Sequence, residues 1–157
     1  MNPKNKIILL VEDNRDDEEL IRMAFEENRL ANEIVAAHDG AEALDYLFGT
    51  GAHAGRDISI QPQLILLDLK LPKLNGFQVL SHLRGDERTR LVPVVILTTS
   101  SQDEDKLKSY QLGANSYVRK PVQFEQFVKA AGALGLYWMV WNEPPPAASR
   151  ALVSGRP

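Results

Sequence analysis

The 157-residue sequence contains no cysteine. This absence excludes disulfides, thiolate catalysis and cysteine-ligated zinc or iron–sulfur sites. A large excess of positive or negative charge is also lacking. The sequence has 18 Lys and Arg and 21 Asp and Glu, for a formal net charge of -3. We therefore do not expect the basic face that binds DNA or RNA. The longest uncharged, mostly apolar run is residues 130–141, shorter than the ~20 residues of a membrane span.

The amino-terminal residues 1–6 are polar and lead into only five apolar residues. A signal peptide has a longer apolar segment, so we predict a cytoplasmic protein. The chain length is typical of one domain with its own hydrophobic core. We expect this domain to cover residues 1–141, followed by a Pro-rich tail over residues 142–157 without an effector domain.

Short apolar runs alternate with segments of helical period along the chain. The runs lack the polar alternation of a half-buried strand, which indicates strands buried on both faces of a parallel sheet. With a weaker fifth strand at residues 116–118, the pattern predicts five βα units and right-handed crossovers. The expected fold is an α/β, doubly wound five-stranded parallel sheet with helices on both faces. The runs are Ile7–Val11, Ile34–Ala37, Leu64–Leu67 and Val94–Leu97, and the helices are expected near residues 16–25, 41–48, 76–84, 103–112 and 122–141.

Polar side chains follow these strands where each strand ends. Glu12 and Asp13 follow the first strand, Asp68 the third, Thr98 the fourth and Lys120 the fifth. In a doubly wound sheet, this edge is where ligands bind. Carboxylates repel each other by about 4 kcal/mol per pair at ~4 Å and an effective dielectric near 20, so the three acids need a cation. Oxygen ligands without cysteine favour a hard cation such as Mg²⁺.

The same set of residues suits phosphoryl transfer. An aspartate beside a metal ion, an ammonium group and a hydroxyl can accept a phosphoryl group, while these three groups stabilise the charge on its oxygens. Each residue alone has a more ordinary interpretation, such as a helix-start acid, a strand-end hydroxyl or a solvated lysine. Their joint position at one edge favours the functional interpretation.

Four motifs at these positions resemble the receiver domains of response regulators. The resemblance covers residues 6–141 and implies a flavodoxin-like fold with strand order 2-1-3-4-5. It implies a signalling protein of a two-component system rather than an enzyme, with self-catalysed aspartyl phosphorylation and dephosphorylation as its only chemistry. The motifs are Leu9–Asn14, Leu66–Pro72 with Asn75–Gly76, Leu97–Ser100 and Tyr117–Pro121.

The resemblance implies a role for residues at the end of each later strand. Asp68 is expected to be the phosphoacceptor, and Thr98 and Lys120 are expected to contact the phosphoryl oxygens. Tyr117 matches the family's aromatic switch, which turns inward as Thr98 moves toward the phosphate. This motion changes the shape of the face formed by the fourth helix, the fifth strand and the fifth helix.

The resemblance also implies the ligands of Mg²⁺. Glu12 and Asp13 are expected to help hold the ion together with Asp68. The main-chain carbonyl of Lys70 is expected to complete the protein ligands.

A narrower resemblance links the chain to a class of partner. The long loop before the third strand, the Thr98–Ser100 segment and the ending Leu136–Pro146 resemble single-domain regulators of bacterial and cyanobacterial phytochrome histidine kinases. The resemblance implies a phytochrome-type sensor histidine kinase as partner, and a chemotaxis-like or phosphorelay role is the alternative. We expect output through protein–protein contact, without binding to nucleic acid or membrane.

The last predicted helix ends in a segment that is apolar nearly all round. A helix that covers a sheet needs only one apolar stripe, and large aromatic residues are favoured at interfaces. We therefore expect Tyr137, Trp138 and Trp141 to contact a partner. The expected assembly is a homodimer through this helix and the face of the fourth helix, fifth strand and fifth helix. Gly132 and Gly135 each weaken a helix by roughly 1 kcal/mol relative to Ala, so a packing neighbour is needed to order it.

Two other functions remain open from the sequence. One is an enzyme on the same architecture, either a nucleotide or flavin binder or a phosphatase with an Asp nucleophile. Against it, Glu12-Asp13-Asn14 occupies the place of a Gly-rich phosphate turn, and Lys70 stands where such a phosphatase has a second Asp. The other is a receiver-like binding module that is not phosphorylated.

Overall fold

The computed structural model describes residues 7–146 and contains one parallel five-stranded sheet. The order across the sheet is β2-β1-β3-β4-β5. This order confirms the predicted doubly wound α/β fold. The strands are β1 (Ile7–Val11), β2 (Glu33–Ala37), β3 (Leu64–Leu67), β4 (Val94–Thr98) and β5 (Ser116–Arg119).

Within residues 7–146, five α-helices follow the strands, and polar side chains define where the first three begin. Asn14, Asp39 and Asn75 each accept a hydrogen bond from the backbone N–H three residues later. Such caps satisfy N–H groups that have no partner within the helix. Asn75 and Gln78 bond each other's backbone reciprocally in a capping box. The helices are α1 (Arg15–Glu27), α2 (Gly40–Phe48), α3 (Gly76–Arg84), α4 (Asp103–Gln111) and α5 (Phe124–Leu136).

The central strands are buried on both faces, as their continuous apolarity predicts. All residues of β3 and β4 are buried. One apolar layer joins these strands to α1 and α5, and the opposite layer joins them to α2 and α3. The sheet is therefore rigidly enclosed, and its carboxyl edge offers fixed positions for polar side chains. Fully buried members of the first layer include Ile8, Ile21 and Leu64, and those of the second include Leu9, Leu47 and Leu80.

The last helix differs from its predicted bounds of residues 122–141. The α-helix covers Phe124–Leu136, and a π-helical turn follows over Tyr137–Trp141. The N–H of Asn142 closes this turn by donating to the carbonyl of Tyr137. None of the helices among residues 7–146 is long and apolar enough to cross a membrane.

The packing neighbour of this helix is α1 of the same chain. A methyl group on Gly132 would overlap the side-chain amide of Asn28, and one on Gly135 would lie 2.5 Å from Leu30 Cδ1. The two glycines therefore allow α5 to approach the end of α1 closely. Their cost in helix propensity is offset by burial within the protein, without a second chain.

Gly76, the first residue of α3, lies against the backbone that carries Asp68. A methyl group at Gly76 would overlap the carbonyl oxygen of Asp68 and would lie 2.7 Å from Leu69 Cα. Since backbone cannot move aside as a side chain does, we expect Gly76→Ala to lower the free energy of unfolding by about 1–3 kcal/mol. Urea denaturation measures the change. Gly85→Ala is the control, because Gly85 has φ -84° and the nearest atom to its added methyl is 3.3 Å away; equal losses in both variants contradict the explanation.

Candidate functional site

Backbone hydrogen bonds continue the sheet beyond the strand ends and fix the site residues. The N–H of Asp68 donates to the Val11 carbonyl at 3.1 Å, and the N–H of Lys120 donates to the Thr98 carbonyl at 2.6 Å. Glu12 is held to β2 in the same way at 2.9 Å. The side chains at the carboxyl edge therefore start from rigid positions, which a site for group transfer requires.

Three carboxylates from two strand ends meet at this edge. Oxygen atoms of Glu12, Asp13 and Asp68 lie within 4.8 Å of one another, with Glu12 and Asp68 buried and Asp13 exposed. The donor set fits Mg²⁺, which prefers oxygen ligands at about 2.0–2.1 Å and keeps several waters. Asp13 is exposed, so this side of the cluster is open to water. The structure thus brings together the three predicted carboxylate ligands.

Lys120 is the buried cation of the site. Its ammonium nitrogen lies 2.7 Å from Glu12 Oε1, 2.8 Å from Asp17 Oδ2 and 2.9 Å from Asp68 Oδ2. The residue is 5% exposed. Breaking a buried ion pair by removing one partner is costly, because the other charge is then left without compensation. Lys120 therefore keeps the carboxylates close together despite their mutual repulsion.

Burial and charge shift the pKa values of this cluster. Burial raises the pKa of Glu12 above the usual carboxyl range, although the hydrogen bond and charge of Lys120 oppose the shift. Burial alone lowers the pKa of Lys120, but the charge of Asp68 and the bonds to Asp17 and Glu12 raise it overall. The raised pKa of Lys120 keeps this lysine a cation at neutral pH, and its charge in turn opposes the rise in the pKa of Glu12.

Thr98 and Tyr117 are linked through the loop that follows β4. Thr98 is fully buried at the end of that strand. The N–H of Ser100 donates to Thr98 Oγ1 at 3.4 Å, and the Tyr117 hydroxyl donates to the Ser100 carbonyl at 3.0 Å. A change in the hydrogen bonding of Thr98 can thus reach Tyr117 on β5 through one residue. The switching motion itself stays a prediction.

Lys70 contributes its backbone to the loop after Asp68. The N–H of Lys70 donates to Asp68 Oδ1 at 3.3 Å, and the residue is exposed. This bond turns the loop around the carboxylate of Asp68. The role of the Lys70 carbonyl as a metal ligand remains a prediction.

Comparison with known proteins shows to which family the chain belongs. The Response regulator receiver domain family matches residues 8–132. This chain belongs to that family.

The receiver is similar to a probable regulatory protein and to two response regulators of solved structure. It is 44% identical over 139 residues to "Probable methanogenesis regulatory protein FilR2" of Methanothrix harundinacea, covering 88% of this chain and 87% of that protein. The structure of the phosphorylated cyanobacterial phytochrome response regulator RcpA matches with a TM-score of 0.84 and 36% identity, over 90% of this chain and 99% of that one. The Mn²⁺-bound form of response regulator Rcp1 matches with a TM-score of 0.84 and 32% identity, over 90% and 99% of the chains. The receiver is thus similar to signalling proteins, not to classical enzymes.

One residue of the receiver site was missed by sequence reasoning. Asp17 comes from the first turn of α1 and bonds Lys120 across 103 residues of sequence. In the sequence, Asp17 is one of four consecutive acids, and acids in a first turn are explained by the helix dipole alone. The available signal was its position three residues after the N-cap Asn14, in the first turn of the helix that follows β1.

The structure divides the three aromatic residues predicted at the interface of the receiver. Tyr137 is 52% exposed and Trp141 is 76% exposed. Trp138 is partly buried and packs against the core layer of α1 and α5. The Trp138 carbonyl accepts a hydrogen bond from the side chain of Gln63, which precedes β3. This segment therefore lies at the amino-terminal ends of the strands, opposite the end that carries Asp68. Tyr137 and Trp141 are the two that remain available to a partner.

Proposed function

We propose that the receiver accepts a phosphoryl group on Asp68 from a phosphohistidine of a sensor histidine kinase, with Mg²⁺ bound. The observation that supports this proposal most directly is the surroundings of Asp68. Its carboxylate lies within 4.8 Å of two further acids that can hold a cation and 2.9 Å from the Lys120 ammonium group. A carboxylate nucleophile with a metal site on one side and a fixed cation on the other suits phosphoryl transfer.

In the proposed reaction, an oxygen of Asp68 forms a bond to phosphorus as the bond from phosphorus to the histidine nitrogen breaks. The imidazole leaves with the electron pair of that bond. Lys120 compensates charge on the phosphoryl oxygens from its position beside Asp68. The Thr98 hydroxyl donates a hydrogen bond to another of these oxygens after its bond from the Ser100 N–H has broken. Glu12, Asp13, Asp68 and the Lys70 carbonyl would hold Mg²⁺, and the ion would supply further positive charge to the phosphoryl group.

The proposed kinase is of the phytochrome type. The structural match to RcpA, a phytochrome response regulator, covers 90% of this chain and 99% of the RcpA chain. FilR2 is a probable methanogenesis regulator at higher identity, so receivers of this shape serve more than one pathway. A chemotaxis-like or phosphorelay role is the alternative, and phosphotransfer from a purified phytochrome kinase against an unrelated kinase distinguishes them.

We further propose that output occurs by protein contact from a cytoplasmic domain over residues 1–141. The predicted tail over residues 142–157 is described only as far as residue 146, and the remainder lies outside the described residues. The face of α4, β5 and α5 exposes large apolar side chains that suit a partner surface: Leu107 at 60%, Tyr110 at 52% and Phe124 at 57%. We propose no contact of this protein with nucleic acid or with a membrane.

The test of the proposed function is an intact mass measurement. The protein is incubated with Mg²⁺ and acetyl phosphate and then weighed. A gain of one phosphoryl group per chain supports the receiver reaction. Release of phosphate over many turnovers without an adduct favours a phosphatase, and an unchanged mass with intact fold favours a binding module.

We also propose a homodimer that uses the exposed aromatic residues of the last turn. Truncation before this turn is a poor test, because Met139 within it is 2% exposed and belongs to the core. The double substitution Tyr137→Ser and Trp141→Ser removes exposed apolar surface and spares Met139. We expect it to shift the sedimentation coefficient from dimer toward monomer, since burial of apolar area drives association.

The matched control for the dimer is Ile60→Ser, which changes another large apolar residue, 40% exposed, in the loop before β3. It should leave the dimer intact. A wild-type protein that sediments as a monomer at all concentrations, or a double variant that remains a dimer, contradicts this part of the proposal.

A further inference from the structure

All three N–H donors of the Lys120 ammonium group already have acceptors among the described residues. An ammonium group donates three hydrogen bonds, and the carboxylates of Glu12, Asp17 and Asp68 accept at 2.7, 2.8 and 2.9 Å. The side chain is 4% exposed, so its bonding is determined by these protein groups. A phosphoryl oxygen on Asp68 can bind Lys120 only when one present partner gives way.

Asp17 is the partner that can leave at the lowest cost. The side chain of Asp17 is 20% exposed, compared with 9% for Asp68 and 2% for Glu12. A carboxylate that loses its counter-ion in a buried position regains no water, whereas a partly exposed one does. Asp17 also lies in the first turn of α1, where the helix dipole stabilises a negative charge after the ammonium group has left. Asp68 itself carries the phosphoryl group and stays beside Lys120.

We propose that Asp17 is a positioning residue, which holds the Lys120 ammonium group while Asp68 is unphosphorylated and releases it to the incoming phosphoryl group. This inference rests on the proposed function of Asp68 as the acceptor. Asp17 competes with the phosphoryl oxygens for one cation, so it slows phosphorylation. Hydrolysis of the aspartyl phosphate starts after the exchange, so the competition does not affect it.

Asp17→Asn tests the competition because it removes the charge and keeps the shape of the side chain. With acetyl phosphate, Asp68 bonds to phosphorus and acetate leaves with the electron pair of the broken phosphorus–oxygen bond. The rate of the mass gain, at fixed Mg²⁺, should rise about two- to fivefold in Asp17→Asn, the size expected for a partly exposed ion pair. Asp17→Glu keeps the carboxylate and should restore the wild-type rate. Loss of phosphoryl after removal of the donor should proceed at the wild-type rate.

Asp16→Asn is the matched control. Asp16 is the preceding residue, is exposed, and is not one of the three partners of Lys120. Its substitution makes the same change in net charge on the same turn. We expect the labelling rate of Asp16→Asn to stay near that of the wild type. A higher labelling rate in Asp17→Asn then reports the loss of the contact between Asp17 and Lys120, not the change in net charge.

A second measurement does not depend on phosphorylation. Proton exchange between water and the ¹⁵N-labelled Lys120 ammonium group is followed by NMR in metal-free protein, with Lys120→Arg to assign the signal. Hydrogen bonds slow this exchange, so it should be several-fold faster in Asp17→Asn and unchanged in Asp16→Asn. Damage to the fold would instead slow labelling in Asp17→Asn.

The outcomes separate the inference from the function on which it rests. Wild-type labelling with equal rates in Asp17→Asn and Asp16→Asn, or with unchanged ammonium exchange, overturns the role of Asp17 and leaves Asp68 as the acceptor. Hydrolysis accelerated as much as labelling also overturns it, because the effect is then one of charge alone. A wild-type protein that gains no mass overturns both proposals.

Discussion

Replacing Asp68 with Asn is expected to abolish labelling by acetyl phosphate in the presence of Mg²⁺. The amide is not nucleophilic. Glu12 and Asp17, two other carboxylates of the cluster, are held by the Lys120 ammonium group at 2.7 and 2.8 Å. Removal of a catalytic nucleophile lowers rates by many orders of magnitude, here about 10⁴-fold or more. The measurement is intact mass spectrometry over a time course, followed by peptide mapping of the wild-type adduct.

The control for Asp68→Asn is Asp57→Asn. Asp57 is an exposed carboxylate in the loop before β3, and its side chain accepts hydrogen bonds from the backbone N–H and the hydroxyl of Ser59. This variant should label as the wild type does. Asp68→Asn that labels at the wild-type rate, with the adduct mapped to another acid, would show that the acceptor is assigned to the wrong residue.

The main features of the fold and much of the site follow from the sequence for one physical reason. Strands buried on both faces must be apolar throughout, so β1, β3 and β4 stand out as continuous runs. Parallel strands present their carboxyl ends at one edge, so the residues after each run converge whatever their separation in sequence. Asp68 and Lys120 are 52 residues apart and still form an ion pair of 2.9 Å.

The parts that sequence reasoning missed depend on side-chain direction and on contacts between helices. Asp17 reaches Lys120 because the turn after β1 brings the start of α1 back over the strand end, and no periodicity encodes that turn. The apolar pattern near Trp138 likewise does not show that this ring faces the core while Trp141 faces solvent. Gly132 and Gly135 look unfavourable in a helix until the end of α1 is seen packed against them.

Lys120→Met should both destabilise the protein and suppress phosphorylation. Methionine keeps most of the length of lysine but removes the charge that Glu12, Asp17 and Asp68 share. We expect the free energy of unfolding in metal-free buffer to fall by about 3–5 kcal/mol, the cost of breaking a buried ion pair. Labelling should slow by about 100-fold, as when one charged or hydrogen-bonding group is removed from a transition state. Urea denaturation and the mass assay measure the two effects.

The dependence on Mg²⁺ separates lost charge from lost packing in Lys120→Met. An ion bound by the native carboxylates stabilises the folded state in proportion to the logarithm of its concentration above the dissociation constant. Because the variant lacks the cation that holds these acids together, added Mg²⁺ should recover more stability in Lys120→Met than in the wild type. Lys129→Met, at an exposed position on α5, should show neither the loss nor the extra recovery. A loss in Lys120→Met that is the same with and without Mg²⁺ would mean that Lys120 acts through packing, and the electrostatic account of the site would then be wrong.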